Sequence, residues 1–157
     1  MGKIEILSSN EQQTMDLGEF FGIHGMKDLF IALTGDLGAG KTHFVQGLAK
    51  GMGIDGIVQS PTFTILNYYD SPLPLKHFDF YRLSDEEELY EIGWDEYSAG
   101  GVTVVEWAEK FPSLIPEEAI RVEIAVTDMT RRTITISWND KAPAAFVKEI
   151  TAYAACH

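Results

Sequence analysis

The feature that most constrains this sequence is the segment GDLGAGKT at residues 35–42, which matches the pattern G-x-x-x-x-G-K-[ST]. The apolar run LFIALT stands just before it, and HFVQGLAKGM follows with apolar residues at helical spacing. A match to these fixed positions arises by chance in well under about one in a hundred chains of this length. The order of strand, glycine loop and helix therefore predicts an α/β protein that binds the phosphates of a nucleotide.

The residue types of this loop suit it to phosphates. Gly35, Gly38 and Gly40 permit backbone conformations in which consecutive N–H groups face a phosphate, and a helix that begins at Lys41 adds the positive end of its dipole. We expect Lys41 to bridge the β- and γ-phosphates and the Thr42 hydroxyl to bind Mg²⁺. The alternative is a glycine-rich turn with an exposed lysine. The nucleotide-binding residues predicted in this segment are Asp36, Leu37, Gly38, Ala39, Gly40, Lys41, Thr42 and His43.

Nucleotide-bound Mg²⁺ usually also needs a carboxylate at the end of a neighbouring strand. Glu106 ends the β-compatible run GVTVVE, and Asp79 lies in HFDFYR between two phenylalanines that we expect on the opposite side of the strand. The pattern favours Glu106 as the metal ligand, while either acid could instead position or deprotonate the attacking water. Each could also simply meet water at a strand end. The predicted catalytic residues are Lys41, Asp79 and Glu106, and the predicted metal ligands are Thr42 and Glu106.

The pattern of apolar runs predicts one domain over residues 1–157, with a three-layer fold like that of P-loop NTPases. Its central sheet is expected to be mostly parallel but mixed. IRVEIAV and RRTITISW alternate around TDMT and predict a C-terminal β-hairpin, which a helix over residues 142–155 follows. Two further β-rich runs flank DSPLP, and a helix is expected from Ser84 to Gly93.

Composition limits the classes of partner. The 157 residues include 24 acidic and 12 basic side chains, for a formal net charge of -12, which disfavours strong direct binding of nucleic acid. Cys156 is the single cysteine, so an internal disulfide and a multi-cysteine zinc site are excluded. No segment approaches the roughly 20 apolar residues of a membrane span. We expect a cytoplasmic protein that does not associate with membranes.

Five blocks occur in order along the chain: GDLGAGKT, SPTFT, HFDFYRL, EELYEIGWDEY and VVEW. Together they resemble the TsaE family, the bacterial P-loop ATPases required to make N6-threonylcarbamoyladenosine in tRNA. The resemblance covers about residues 10–133. It implies that Thr42 and Glu106 bind Mg²⁺ and that Asp79 is needed for ATPase activity. By the same resemblance, Asn10, Thr14 and Arg132 lie where the family contacts its nucleotide.

The resemblance implies an ATPase with slow turnover of its own, acting with the threonylcarbamoyl-transferase complex that modifies adenosine 37. Its partners would then be protein subunits, which an acidic surface can contact without touching RNA. The sequence has no N-K-x-D element for reading guanine, so ATP is the expected nucleotide. Two alternatives stay open: a P-loop kinase of small molecules, and a binding module that ATP switches without essential hydrolysis.

Overall fold

The computed structural model describes residues 1–36, 38–54 and 65–157, and the block SPTFT at residues 60–64 lies outside that range. Its strands form one mixed sheet in the order β1-β7-β6-β2-β5-β4-β3. The strands are β1 (Gly2–Ser8), β2 (Leu29–Thr34), β3 (Leu66–Tyr69), β4 (Leu75–Asp79), β5 (Val102–Glu106), β6 (Ile120–Val126) and β7 (Arg132–Trp138).

The centre of this sheet is parallel and its two sides are antiparallel. β2 pairs in parallel with β5 and with β6, and β5 pairs in parallel with β4. β3 pairs antiparallel with β4, as the runs around DSPLP suggest, and β6 and β7 form the predicted C-terminal hairpin, to which β1 adds as a further strand. Apolar runs such as LFIALT become central strands because both faces of a parallel sheet are covered.

Helices cover both faces of the sheet, so the predicted three-layer α/β class is confirmed. One core cluster lies between the sheet and the three longer helices, and a second lies between the sheet and short helices that include two 3-10 turns. The helices are α1 (Glu11–Ile23), α2 (Lys41–Gly51), α3 (Glu87–Glu91), α4 (Trp94–Tyr97) and α5 (Ala144–Cys156), with 3-10 turns at Ala108–Lys110 and Pro112–Leu114. In the part of the chain just described, no helix is both long and apolar enough to cross a bilayer.

Helices α1 and α2 pack with their backbones in contact. A Cβ atom added to Gly18 would lie 2.1 Å from the carbonyl oxygen of Phe44, and one added to Gly47 would lie 2.0 Å from that of Met15. Glycine is required at both positions because a backbone atom, unlike a side chain, cannot rotate away. This packing sets the position of α2, whose first residue belongs to the glycine loop.

The helix predicted from Ser84 to Gly93 is shorter than expected and is followed by a second one. The backbone N–H of Glu87 donates to the carboxylate of Asp85, and α3 begins only there. Gly93 has a φ of 92°, in the left-handed region, so it ends α3 as predicted but also starts α4.

Candidate functional site

The glycine loop joins the buried strand β2 to the N-terminus of α2. Gly35, Gly38 and Gly40 have φ angles of 148°, 79° and 109°, a region that residues with a side chain rarely adopt. A Cβ atom on Gly35 would also lie 2.6 Å from the carbonyl oxygen of Ile124 on β6. The loop therefore follows a path that glycine makes possible, and α2 begins at Lys41, the lysine of the motif.

Lys41 is only 5% exposed, and its ammonium group contacts the start of the loop. Its Nζ donates to the carbonyl oxygen of Gly35 at 2.5 Å and lies 3.9 Å from the ring centre of Trp107, within the range of a cation–π contact. Burial lowers the pKa of Lys41, and nearby carboxylates, first Glu106, oppose that change. Lys41 thus has little contact with water, and an anionic ligand could replace the Trp107 ring as the partner of its ammonium group.

The two predicted acids lie next to each other at the carboxyl ends of neighbouring strands. Asp79 ends β4, Glu106 ends β5, and the two residues are paired in the parallel register. Phe78 and Phe80 belong to the core cluster on the opposite face, as the alternation predicts. Burial raises the pKa of Asp79, while the N–H of Tyr81, which donates to its carboxylate at 2.9 Å, acts in the other direction.

Most of the predicted site residues line one cavity of about 800 Å³, within the size range of ligand pockets. Asp36 is exposed and is not part of the lining, and Leu37 lies outside the described residues. The predicted residues that line the cavity are Asn10, Thr14, Gly38, Ala39, Gly40, Lys41, Thr42, His43, Asp79, Glu106 and Arg132.

Arg132 lies on the cavity wall, but its guanidinium contacts the glycine loop. Nε donates to the carbonyl oxygen of Ala39 at 2.9 Å and Nη2 to that of Gly38 at 3.2 Å. Nη1 donates at 2.9 Å to the carbonyl oxygens of Asp128 and Arg131 in the hairpin turn. Arg132 therefore ties the β6–β7 turn to the loop backbone.

Asn10 and Thr14 also make contacts within the protein at the cavity wall. The side chain of Asn10 accepts a hydrogen bond of 2.9 Å from the N–H of Gln13 and caps α1. The hydroxyl of Thr14 is buried and lies 2.8 Å from the hydroxyl of Ser8. Both residues place the first turn of α1 beside the glycine loop.

Two residues that lie next to the acids are not among the site residues predicted from the sequence. Trp107 follows Glu106 directly and lines the cavity beside Lys41, in a left-handed conformation with φ 59°. His77 precedes Asp79 by two residues, which in a strand places both on one face. Its Nε2 lies 2.5 Å from Oε2 of Glu106. Strand periodicity could have placed His77 near the acids, whereas the position of Trp107 depends on its unusual backbone.

The donors present fit a magnesium ion held jointly with phosphates. Thr42 and Glu106 line the same cavity and offer a hydroxyl and a carboxylate, the oxygen ligands that Mg²⁺ prefers. Among the residues for which coordinates are described, no group of three or more His, Cys, Asp or Glu side chains is placed to hold a metal alone. Mg²⁺ usually keeps few protein ligands and completes its shell with water and phosphate oxygens, so the donor set is sufficient.

Proteins in which this glycine motif joins a buried strand to a helix, beside acidic ends of parallel strands, form the P-loop NTPase class, and this fold is of that class. The family model described as "Threonylcarbamoyl adenosine biosynthesis protein TsaE" matches residues 8–134. The chain therefore belongs to the TsaE family, as the five sequence blocks predicted.

Individual relatives agree with this assignment. The chain is 40% identical over 139 residues to the tRNA threonylcarbamoyladenosine biosynthesis protein TsaE of Bacillus subtilis, covering 87% of each chain. It is 39% identical over 132 residues to the protein of that name from Treponema pallidum, covering 83% of this chain and 98% of the relative. The crystal structure of Bacillus subtilis YdiB superposes with a TM-score of 0.78 at 30% identity, covering 97% of this chain and 96% of the other.

Proposed function

We propose that this protein binds MgATP in the cavity beside the glycine loop and hydrolyses it in the synthesis of threonylcarbamoyladenosine in tRNA. The observation that carries the proposal is the convergence of Lys41, Thr42, Asp79 and Glu106, from three separate elements, on one cavity. The relatives named for tRNA threonylcarbamoyladenosine biosynthesis support the pathway. The structural class supports the nucleotide.

The loop and the start of α2 would bind the triphosphate. The positive φ angles of Gly38 and Gly40 are those with which backbone N–H groups form an anion-binding concavity, and the first turn of α2 adds N–H groups and its dipole. Lys41 would exchange its contacts with Trp107 and the Gly35 carbonyl for the β- and γ-phosphate oxygens. This exchange adds little desolvation free energy, because burial has already removed most water from the ammonium group.

The acids would act on the metal and on water. Thr42 and Glu106 would hold Mg²⁺, which when bound offsets negative charge on the transferring phosphoryl group. Asp79, beside Glu106, would orient the attacking water and accept its proton. Its raised pKa fits this role because a carboxylate with a higher proton affinity is a better general base.

We expect slow hydrolysis by the protein alone and faster hydrolysis with a partner. Arg132 is bound to four backbone carbonyls, so it does not supply a free guanidinium for transition-state charge. The partners would be protein subunits of the threonylcarbamoyl-transferase complex. A net charge of -12 favours docking on a protein surface over direct contact with tRNA.

Two measurements test this function. Calorimetry with ATP and Mg²⁺ should show binding to the wild type, and threonylcarbamoylation of tRNA reconstituted with ATP should depend on this protein over several turnovers. If calorimetry detects no heat of binding, the proposal that the protein binds a nucleotide is wrong. Product formation that does not need the protein after the first turnover would contradict the pathway role.

The destination of the γ-phosphate separates this function from its rivals. Labelled γ-phosphate should appear as free phosphate, whereas a small-molecule kinase would transfer it to an acceptor. An ATP-gated module would keep supporting tRNA modification in an Asp79→Ala variant that binds ATP without hydrolysing it. We expect that variant to lose multiple-turnover modification.

A further inference from the structure

His77 is a buried histidine in direct contact with a proposed metal ligand. Its side chain is 0% exposed, and Nε2 lies 2.5 Å from Oε2 of Glu106, whose side chain is 4% exposed. The two residues come from neighbouring parallel strands, β4 and β5. The contact is therefore made between two paired strands of the parallel part of the sheet and not by a loop.

The second nitrogen of the ring shows how the contact is made. Nδ1 of His77 is buried and has no hydrogen-bond partner among residues 1–36, 38–54 and 65–157. Among the described residues a proton on Nδ1 would have no acceptor, whereas Nε2 faces a carboxylate oxygen that can accept one. The described contacts therefore favour the tautomer in which Nε2–H donates to Oε2 of Glu106.

We infer that His77 is a positioning residue, which orients the Glu106 carboxylate for the metal by holding Oε2 and leaving Oε1 free. This inference rests on the function proposed above. A carboxylate that ligates a metal is itself usually hydrogen-bonded, and removing such an outer partner typically costs about 10- to 100-fold in metal affinity. Without His77, the Glu106 side chain could rotate away from the cavity.

The contact could also serve only to satisfy a buried carboxylate, with no effect on the metal. A purely structural role predicts that loss of His77 lowers stability and weakens nucleotide binding whether or not Mg²⁺ is present. A positioning role predicts that only the gain in ATP affinity that Mg²⁺ provides is reduced. The test must therefore measure ATP affinity both with Mg²⁺ and with EDTA.

The variants are His77→Leu, which removes the donor, and His77→Gln, whose side-chain N–H₂ can take the place of Nε2–H. We expect His77→Leu to reduce the Mg²⁺-dependent gain in ATP affinity about tenfold or more, while affinity in EDTA stays within about twofold of wild type. His77→Gln should recover most of the gain. Electron paramagnetic resonance of Mn²⁺ in the presence of ATP should rank the proteins in the same way by Mn²⁺ affinity. His77→Leu should bind Mn²⁺ weakly, and His77→Gln should bind it nearly as well as the wild type.

Thr103→Val is the matched control. Thr103 is 1% exposed and lies on β5, as Glu106 does, but three residues earlier, and its hydroxyl donates to the carbonyl oxygen of Ser98 at 3.5 Å. Its loss removes a hydrogen bond of a buried residue that does not line the cavity. We expect this variant to keep the full Mg²⁺-dependent gain.

The outcomes separate the inference from the proposed function. If the wild type gains no ATP affinity from Mg²⁺, the proposed function fails. If the wild type does gain affinity, three results would overturn the positioning role. His77→Leu could keep the full Mg²⁺-dependent gain, or it could lose as much affinity in EDTA as with Mg²⁺. His77→Gln could also fail to restore the gain. Should His77→Leu not fold, His77→Asn takes its place, because its shorter side chain keeps an amide at the site but draws the N–H₂ back from Glu106. Loss of the Mg²⁺-dependent gain with unchanged affinity in EDTA supports the inference, and a full gain overturns it.

Discussion

Asp79 and Glu106 are direct register partners at the carboxyl ends of two parallel strands, and both line the cavity beside Lys41. Two carboxylates brought together in this way repel each other, which adds to the burial that raises the pKa of Asp79. Glu106, in contrast, has its Oε2 2.5 Å from Nε2 of His77. The two acids thus occupy different environments, which is the physical basis for our proposal that one holds the metal and the other orients the water.

The first prediction concerns the lysine of the loop. Lys41→Ala should weaken ATP binding by about 10- to 150-fold, because a hydrogen bond to a charged group contributes about 1.5–3 kcal/mol. Calorimetry with MgATP measures the change. Lys50→Ala is the matched control, since Lys50 lies on the same helix but is 66% exposed and pairs only distantly with Glu19, at 3.8 Å. Equal affinities of the two variants would contradict phosphate binding by Lys41.

The second prediction concerns the stability of the protein without nucleotide as a function of pH. Because the folded-state pKa of Asp79 is raised from its ordinary value of 3.8, the folded protein binds this proton more tightly than the unfolded chain does. That contribution to stability is fully present below the unfolded pKa and is lost as pH rises through the folded pKa. Asp79→Asn removes the dependence and can still accept from the Tyr81 N–H.

Thermal unfolding of Asp79→Asn and wild type should therefore be compared across pH. The difference in melting temperature should grow in favour of the variant from about pH 4 upward and level off above the folded-state pKa. ATP hydrolysis by the variant should be lost over the same range. A variant less stable than wild type at pH 7 would mean that the fold stabilises the Asp79 carboxylate, contrary to the effect of its burial.

The third prediction concerns the attachment of the glycine loop. Arg132→Lys replaces a planar fork of donors with a single ammonium group, which cannot reach the carbonyls of Gly38, Ala39 and the hairpin turn together. Amide hydrogen exchange at residues 38–40 should become faster even without nucleotide, and ATP affinity should fall about tenfold. Unchanged exchange would mean that Arg132 acts on the nucleotide and not on the loop.

The neighbouring arginine provides the control for this experiment. Arg131 is 69% exposed, and its Nε lies 3.7 Å from the Asp128 carboxylate. An exposed pair of this kind contributes about 0–1 kcal/mol. Arg131→Lys should therefore leave loop exchange and ATP affinity unchanged.

The parallel centre of the fold could be predicted from the sequence because local signals agree with the final contacts there. LFIALT and GVTVVE read as buried strands, and both lie in the parallel centre, with Leu33 paired to Glu106. Alternation around Asp79 placed Phe78 and Phe80 on the opposite face correctly. These features follow from residue spacing within one segment.

Contacts between distant segments could not be predicted in this way. The bond from Arg132 to the carbonyl of Ala39 spans 93 positions and depends on how the hairpin turn lies over the loop. The contact of His77 with Glu106 requires β4 and β5 to be neighbours in a parallel register. Strand order and the path of a turn are set by packing of the whole domain, which no local pattern contains.

The last prediction concerns the helix contact that positions α2. Gly47→Ala adds a Cβ atom 2.0 Å from the carbonyl oxygen of Met15, so α1 and α2 must move apart. Overpacking costs about 1–3 kcal/mol, whereas the higher helix propensity of alanine returns at most about 1 kcal/mol, so the free energy of unfolding should fall. Chemical denaturation measures this change, and ATP affinity should fall with it because Lys41 and Thr42 start the displaced helix. An alanine variant as stable as wild type would show that the two backbones are not in contact.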